Sequence, residues 1–243
     1  MSHRRLAAHD LVHRYRHADT DALAGCSLDI EPGSRVALLG ANGCGKTTLL
    51  LHLNGSLRPQ TGTVSLDGTA QRYDRKGLAA WRREVGLVVQ DPDDMLIAGT
   101  VRQEISFGPL NFGRTETEAR SDVDHILDAL SLSHLQAKPT HLLSGGERHR
   151  VAIAAVAVTR PCVLLLDEPT AGLDPAGVAE VLDVLDRLHL DGTSIVMSTH
   201  DIDLAYGWAD HVVVMADGAV ANSGGPEILH DGDTLARARL DCP

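Results

Sequence analysis

Two carboxylates stand side by side at Asp167-Glu168, directly after the apolar run Val163-Leu-Leu-Leu166. Far upstream, Gly40-Ala41-Asn42-Gly43-Cys44-Gly45 leads into Lys46-Thr47-Thr48 and fits the pattern Gly-x-x-x-x-Gly-Lys-Thr. The chemistry of that pattern is phosphate binding. Glycines let the backbone curl so that successive N–H groups point at one anion, and a following helix adds its positive end. Lys46 supplies a point charge for the outer phosphates, and the Thr47 hydroxyl a ligand for Mg²⁺. Asp167 suits the same Mg²⁺, directly or through water, while Glu168 points elsewhere and can polarise an attacking water. In isolation an acidic pair would cap a helix. With a phosphate loop upstream, the reading as a nucleotide-hydrolysing site is stronger.

Other polar groups also follow apolar runs. Gln90 succeeds Val85-Gly-Leu-Val-Val89 and opens Gln90-Asp-Pro-Asp-Asp94, where a neutral amide can reach Mg²⁺ and the lytic water. His200, in Ser198-Thr199-His200-Asp201, could contact a γ-phosphate and sense whether ATP or ADP is bound. The other twelve histidines lack such a setting and read as surface residues. Asp174 sits in a turn before a helix, where it would also serve as N-cap with Pro175 at the first helical position. Tyr15, at the end of the first apolar stretch, could stack on adenine, although a core or surface tyrosine is the plainer reading.

These groups need elements to hold them. Leu6 to Tyr15, Leu23 to Ile30 and Thr63 to Leu66 read as strands punctuated by Pro32-Gly33, Thr61-Gly62 and Asp67-Gly68. A helix-compatible run from Thr47 stops at Asn54-Gly55. Buried strands are expected at Val36–Leu39, Val85–Val89 and Val163–Leu166, and further strands at Ser194–Ser198 and His211–Met215. Residues from Arg102 to about Ser131 read as mostly helical, with Val123, Ile126, Leu127 and Leu130 forming an amphipathic stripe. Val151 to Val158 continues as a buried helix, and Val178, Val181, Leu182 and Leu185 form the next helical stripe. Strands alternating with helices imply an α/β fold with a mostly parallel sheet covered on both faces.

The net charge is −11, which disfavours a nucleic-acid partner, because phosphate backbones want a basic stripe. No apolar run approaches the length of a membrane span, and Met1-Ser-His-Arg-Arg is followed by no signal-peptide core. Cys26, Cys44, Cys162 and Cys242 show neither metal-ligand spacing nor a disulfide framework, so they read as reduced thiols of a cytoplasmic protein.

Taken in order, these segments resemble the nucleotide-binding domain of ATP-binding-cassette (ABC) ATPases over nearly the whole chain. Gly40 to Thr48 matches Walker A, Gln90 the Q-loop glutamine, and Leu143-Ser144-Gly145-Gly146-Glu147 the signature. Val163 to Glu168 matches Walker B with its catalytic Glu, Asp174 the D-loop, His200 the switch histidine and Tyr15 the adenine-stacking aromatic. The resemblance implies a P-loop NTPase cassette with ATP and Mg²⁺ as cofactors. It implies one domain over residues 1–243, with a core and an antiparallel β-subdomain at roughly 1–89 and 160–243. A helical subdomain would be inserted at roughly 90–159. It further implies that Ser144, Gly145, Gly146 and Asp174 contact ATP held by a second ATPase subunit, either an identical copy or a paralogue. Two positions depart from the usual pattern: Cys44 stands where Ala or Ser is commoner, and Arg148 where Gln or Lys is. With Lys46 and a helix N-terminus beside it, Cys44 is expected to ionise readily and to react with alkylating reagents.

Within that family, Leu51-His-Leu-Asn-Gly55, Gln90-Asp-Pro-Asp-Asp94 and Phe107-Gly-Pro-Leu-Asn-Phe-Gly113 look like energy-coupling-factor importers of cobalt, nickel or vitamins. This implies an integral membrane scaffold, a substrate-binding membrane subunit and a place on the cytoplasmic membrane face. Met95, Leu96 and Ile97 would form an apolar knob where the scaffold docks. The ATPase of another ABC transporter, a soluble ABC ATPase and a P-loop kinase are the competing readings; the signature and His200 argue against the last.

Overall fold

The computed structural model describes residues 4–240; Met1 to His3 and Cys242 lie outside the described residues. Among the described residues, ten strands form two sheets. The larger is built on β3 (Arg35–Leu39), β6 (Val85–Val88), β7 (Val163–Asp167), β8 (Ser194–Thr199), β9 (His211–Ala216) and β10 (Ala219–Gly224), in the order β10-β9-β3-β8-β7-β6. All neighbours pair in parallel except β10, which returns antiparallel to β9 as an edge. The smaller sheet is antiparallel, β2-β1-β4-β5, from β1 (Leu6–His13), β2 (Leu23–Ile30), β4 (Thr61–Leu66) and β5 (Thr69–Ala70).

The apolar runs of the parallel strands are explained by burial on both faces. In β3, Val36 and Leu38 join one hydrophobic cluster with Leu49, Leu50 and Leu53 of α1 (Lys46–Asn54) and with the small sheet. Ala37 and Leu39 join a second cluster on the opposite face, with residues of the longer helices. Those helices are α3 (Val101–Asn111), α4 (Glu116–Ala129) and α5 (Gly145–Ala157), which all lie between β6 and β7 in the chain, and α6 (Pro175–Leu190). The stretch expected as mostly helical from Arg102 thus divides in two. Phe112–Arg114 break it, and Thr115 restarts it through a capping box with Glu118. Val123, Ile126, Leu127 and Leu130 are buried as the stripe requires.

Two boundaries differ from expectation for local reasons. β1 stops at His13, after register shifts around Asp10, whose φ is 49°, so Tyr15 falls in the following turn. The helix α2 (Arg75–Glu84), not expected from the residues, is polar on average though amphipathic; Asp74 caps it by accepting from Lys76 and Gly77 N–H, and Trp81 alone is buried. The Trp81 indole donates to Leu53 O at 2.8 Å, fastening α2 to the end of α1. After β8, α7 (Ile202–Trp208) leads to β9, and α8 (Gly232–Arg237) follows β10. Leu38 is fully buried on an inner strand of the sheet, within the hydrophobic cluster on that face. Leu38→Ala is therefore expected to destabilise the chain by roughly 2–5 kcal/mol in urea unfolding.

Candidate nucleotide site at the carboxyl ends of the parallel strands

β3 runs directly into the glycine-rich loop, and α1 leaves it at Lys46. Gly40 has φ 152°, and a side chain there would lie 2.5 Å from Met215 O; Gly45 has φ 110° and would meet Ala22 O at the same distance. Only glycine allows the chain to pass between β9 and the β2 approach. Gly45 offers no side-chain cap to α1, so the first-turn N–H groups, which have no intrahelical acceptor, point into the loop. That is the geometry of an anion site. The Lys46 side chain is 5% exposed. Its ammonium donates to Gly40 O at 2.7 Å and lies 3.8 Å from Glu168 Oε1.

Asp167 and Glu168 arrive at the end of β7, beside the loop. Thr47 Oγ1 donates to Asp167 Oδ2 at 2.7 Å, and Ser198 Oγ donates to Asp167 Oδ1 at 2.6 Å. Glu168 adopts φ 45°, rare for a residue with a side chain, and its N–H donates to Ser198 Oγ at 2.9 Å. Its side chain reaches His200, whose Nδ1 is 3.4 Å from Glu168 Oε2 while the ring is largely exposed. Gln90 borders a cleft shared with Thr47, Asp91, Asp94, His149 and Asp167. The convergence of a hydroxyl and a carboxylate, both hard oxygen donors, fits Mg²⁺.

Other expected residues lie around this cluster. Ala41, Asn42, Gly43 and Cys44 form the crest of the loop, where Cys44 N donates to Ala41 O. Thr48 is buried in α1, and its hydroxyl lies 3.2 Å from the half-exposed Tyr15 OH. Ser144, Gly145 and Gly146 do not join the loop of their own chain. Ser144 caps α5 in a capping box with Glu147, and side chains built on Gly145 and Gly146 would abut Leu173 and Gly177 instead. Asp174 caps α6 through Gly177 N–H at 2.7 Å, with Pro175 opening the helix.

Several expectations need correction. Cys44 is buried, and that burial outweighs the pull of the neighbouring Lys46, so its thiol is pushed up rather than activated. His52 and His149 are buried, not surface residues. His52 Nδ1 contacts Thr48 O at 2.7 Å, and burial holds its pKa below the usual histidine value; His149 contacts Gly145 O and lines the cleft. Met95 and Leu96 fold inward against the core, with the Met95 sulfur 3.4 Å from Val89 N, and only Ile97 stands out, at 73% exposure. Ser198, read from the sequence only as the end of its strand, is the functional residue that reading leaves out. A polar residue closing an apolar strand, as Asp167 does, was the available signal.

The ABC transporter family model matches residues 23–171. The chain belongs to the ABC transporter family. It is 51% identical over 239 residues to the cobalt import ATP-binding protein CbiO of Rhodobacter capsulatus, covering 98% of this chain and 85% of that one. It is 45% identical to the energy-coupling factor transporter ATP-binding protein EcfA2 of Methanospirillum hungatei, over 96% of this chain and 59% of that longer one. Among solved structures, cbiO1 of Clostridium perfringens, described as part of the ABC transporter complex cbiONQ, superposes with a TM-score of 0.85. That pair shares 41% identity over 97% of this chain and 94% of the other. No described helix is long and apolar enough to cross a membrane. This chain is an ATP-binding, ATP-hydrolysing cassette of that family.

The buried thiols have a measurable consequence. Burial pushes Cys26 up to about 11 and Cys162 up to about 12. A folded pKa above the unfolded one stabilises fully below the unfolded value, and the stabilisation is lost as pH rises through the folded one. Urea midpoints should therefore show no thiol-linked decline until about pH 8.5 and then fall towards pH 12. The Cys26→Ala/Cys162→Ala double variant should fall less steeply over the same range.

Proposed function

We propose that the chain is the ATPase subunit of an energy-coupling-factor-type importer, taking up a transition-metal ion (cobalt or nickel) or a vitamin. It would sit on the cytoplasmic face of a membrane scaffold that carries a separate substrate-binding subunit. The observation that carries the hydrolytic part is the meeting of Lys46, Thr47, Asp167, Glu168 and His200 at one end of the sheet. The importer assignment rests on the likeness to CbiO and EcfA2.

In this reading the loop Gly40–Thr48 binds the phosphates, with Lys46 exchanging its bond to Gly40 O for the outer phosphates. Tyr15 stacks on adenine. Thr47, Asp167 and Gln90 hold Mg²⁺, which when bound neutralises charge on the phosphates. Glu168 accepts a proton from the attacking water, and His200 contacts the γ-phosphate. Ser144, Gly145, Gly146 and Asp174 serve the ATP of a second ATPase subunit. Their contacts run to α5 and α6 and none reaches their own phosphate loop among the described residues, which supports an action in trans. Residues 90–159 form the helical subdomain that carries the signature.

General-base roles are worth about 10²–10⁴-fold in rate. Glu168→Gln should lower kcat by that range while ATP affinity, measured by equilibrium binding, stays close to native. Near-normal turnover in that variant would remove Glu168 from the assignment. For the trans action, mixing Lys46→Ala protein with Ser144→Ala protein should restore part of the activity that each lacks alone. In each mixed dimer one composite site carries both lesions and the other carries none. Mixtures no more active than the separate variants would count against it. Cobalt, nickel and vitamin uptake by vesicles carrying the co-purified membrane subunits would identify the solute.

A further inference from the structure

We infer that Ser198 is a positioning residue for ATP hydrolysis, its hydroxyl tying the Asp167 carboxylate and the Glu168 backbone into one arrangement. This rests on the roles of Asp167 and Glu168 proposed above. Ser198 is fully buried on β8, in register with Asp167 on β7. Burial alone would be met as well by Ala or Val, as at Val196 in the same strand. The hydroxyl is needed for what it touches. It donates to Asp167 Oδ1 at 2.6 Å, short enough for a charge-assisted bond, and accepts from Glu168 N–H at 2.9 Å.

The two bonds act on different degrees of freedom. Thr47 holds the other Asp167 oxygen at 2.7 Å, so the carboxylate is fixed at both ends and cannot turn about its own axis. Glu168 needs its φ of 45° to aim its side chain between Lys46 and His200, and such a conformation persists only where the surroundings impose it. The Ser198 oxygen is one of those surroundings. A single side chain therefore sets both the oxygen offered to a cation and the direction of the group offered to water. Ser194, on the same strand and equally buried, accepts instead from Gly33 N–H at 2.7 Å, remote from both carboxylates.

Outer-shell partners of this kind are worth about 10–100-fold in metal affinity or activity. Ser198→Ala should lower kcat at least about tenfold and weaken Mn²⁺ binding to the ADP-loaded protein, read by electron paramagnetic resonance, by about tenfold. The KM for ATP should move by less than about twofold, since the phosphate loop is untouched. Ser194→Ala provides the structural comparison: it should lower the melting temperature without weakening Mn²⁺ binding. If Ser198→Ala fails to fold, Ser198→Cys, which keeps the volume and a weaker donor, carries the same expectations. Native kcat and Mn²⁺ affinity in the Ser198 variant would overturn the inference, as would equal losses in the Ser194 variant. Failure of the underlying reading is separable, because Glu168→Gln would then keep its turnover whatever the Ser198 variants do.

Discussion

A full positive charge sits at Lys46 where water is almost excluded, and the neighbouring structure is arranged to tolerate it. An uncompensated buried ion costs several kcal/mol, so the ammonium needs partners that cannot drift away. Gly40 O is one, and it points inward because glycine alone can take the backbone of that position. The Glu168 carboxylate is the other, and it reaches the ammonium from a backbone conformation that few side-chain-bearing residues adopt. In the proposed function, phosphate binding would exploit the same arrangement. An incoming polyanion offers Lys46 better acceptors than a carbonyl does, in a place where electrostatic interactions are strong.

The parallel sheet makes this possible by being rigid. Two hydrophobic clusters cover its faces, and alternate residues of β3 belong to each. The strands can be apolar along their length and still end in polar groups at one edge, which is where ligands bind in open α/β sheets. Leu166 leads to Asp167 and Met197 to Ser198 in this way, while Leu39 leads into the glycine-rich loop. The polar ends come together because neighbouring strands share a register, with Asp167 opposite Ser198 and Leu39 opposite Thr199.

Much of this was legible in the residues themselves. Glycine spacing around Lys46, the Asp167-Glu168 pair behind four apolar residues, and the strand at Leu23–Ile30 can each be read locally. What could not be read depends on which elements become neighbours. Ser198 looks like any strand-ending polar residue until β8 is known to lie beside β7. Cys44 looked activated because its charged neighbours are close in sequence, whereas its burial comes from packing between the loop and the small sheet. Met95 turned inward for the same reason, since a sequence gives no measure of how deep a loop residue sits. The helix α2 was hidden by its polarity: it is amphipathic, but its apolar side comes down to one buried tryptophan among arginines and a lysine. His52 and His149 passed for surface residues because histidine carries no burial preference strong enough to decide.

The capping box at Ser144 has a thermodynamic side. Glu147 accepts from the Ser144 N–H and is gripped through both oxygens by the Lys138 ammonium, at 2.7 and 3.0 Å. The opening turn of α5 is thereby ordered within the monomer. Fixing a backbone residue forgoes about 1–2 kcal/mol of conformational entropy, and here that loss is incurred during folding rather than during association. In the proposed pairing of two cassettes on shared ATP, the signature would present itself as a preformed surface. On that proposal the free energy of closure would reflect the nucleotide between the subunits and not the ordering of the segment that meets it.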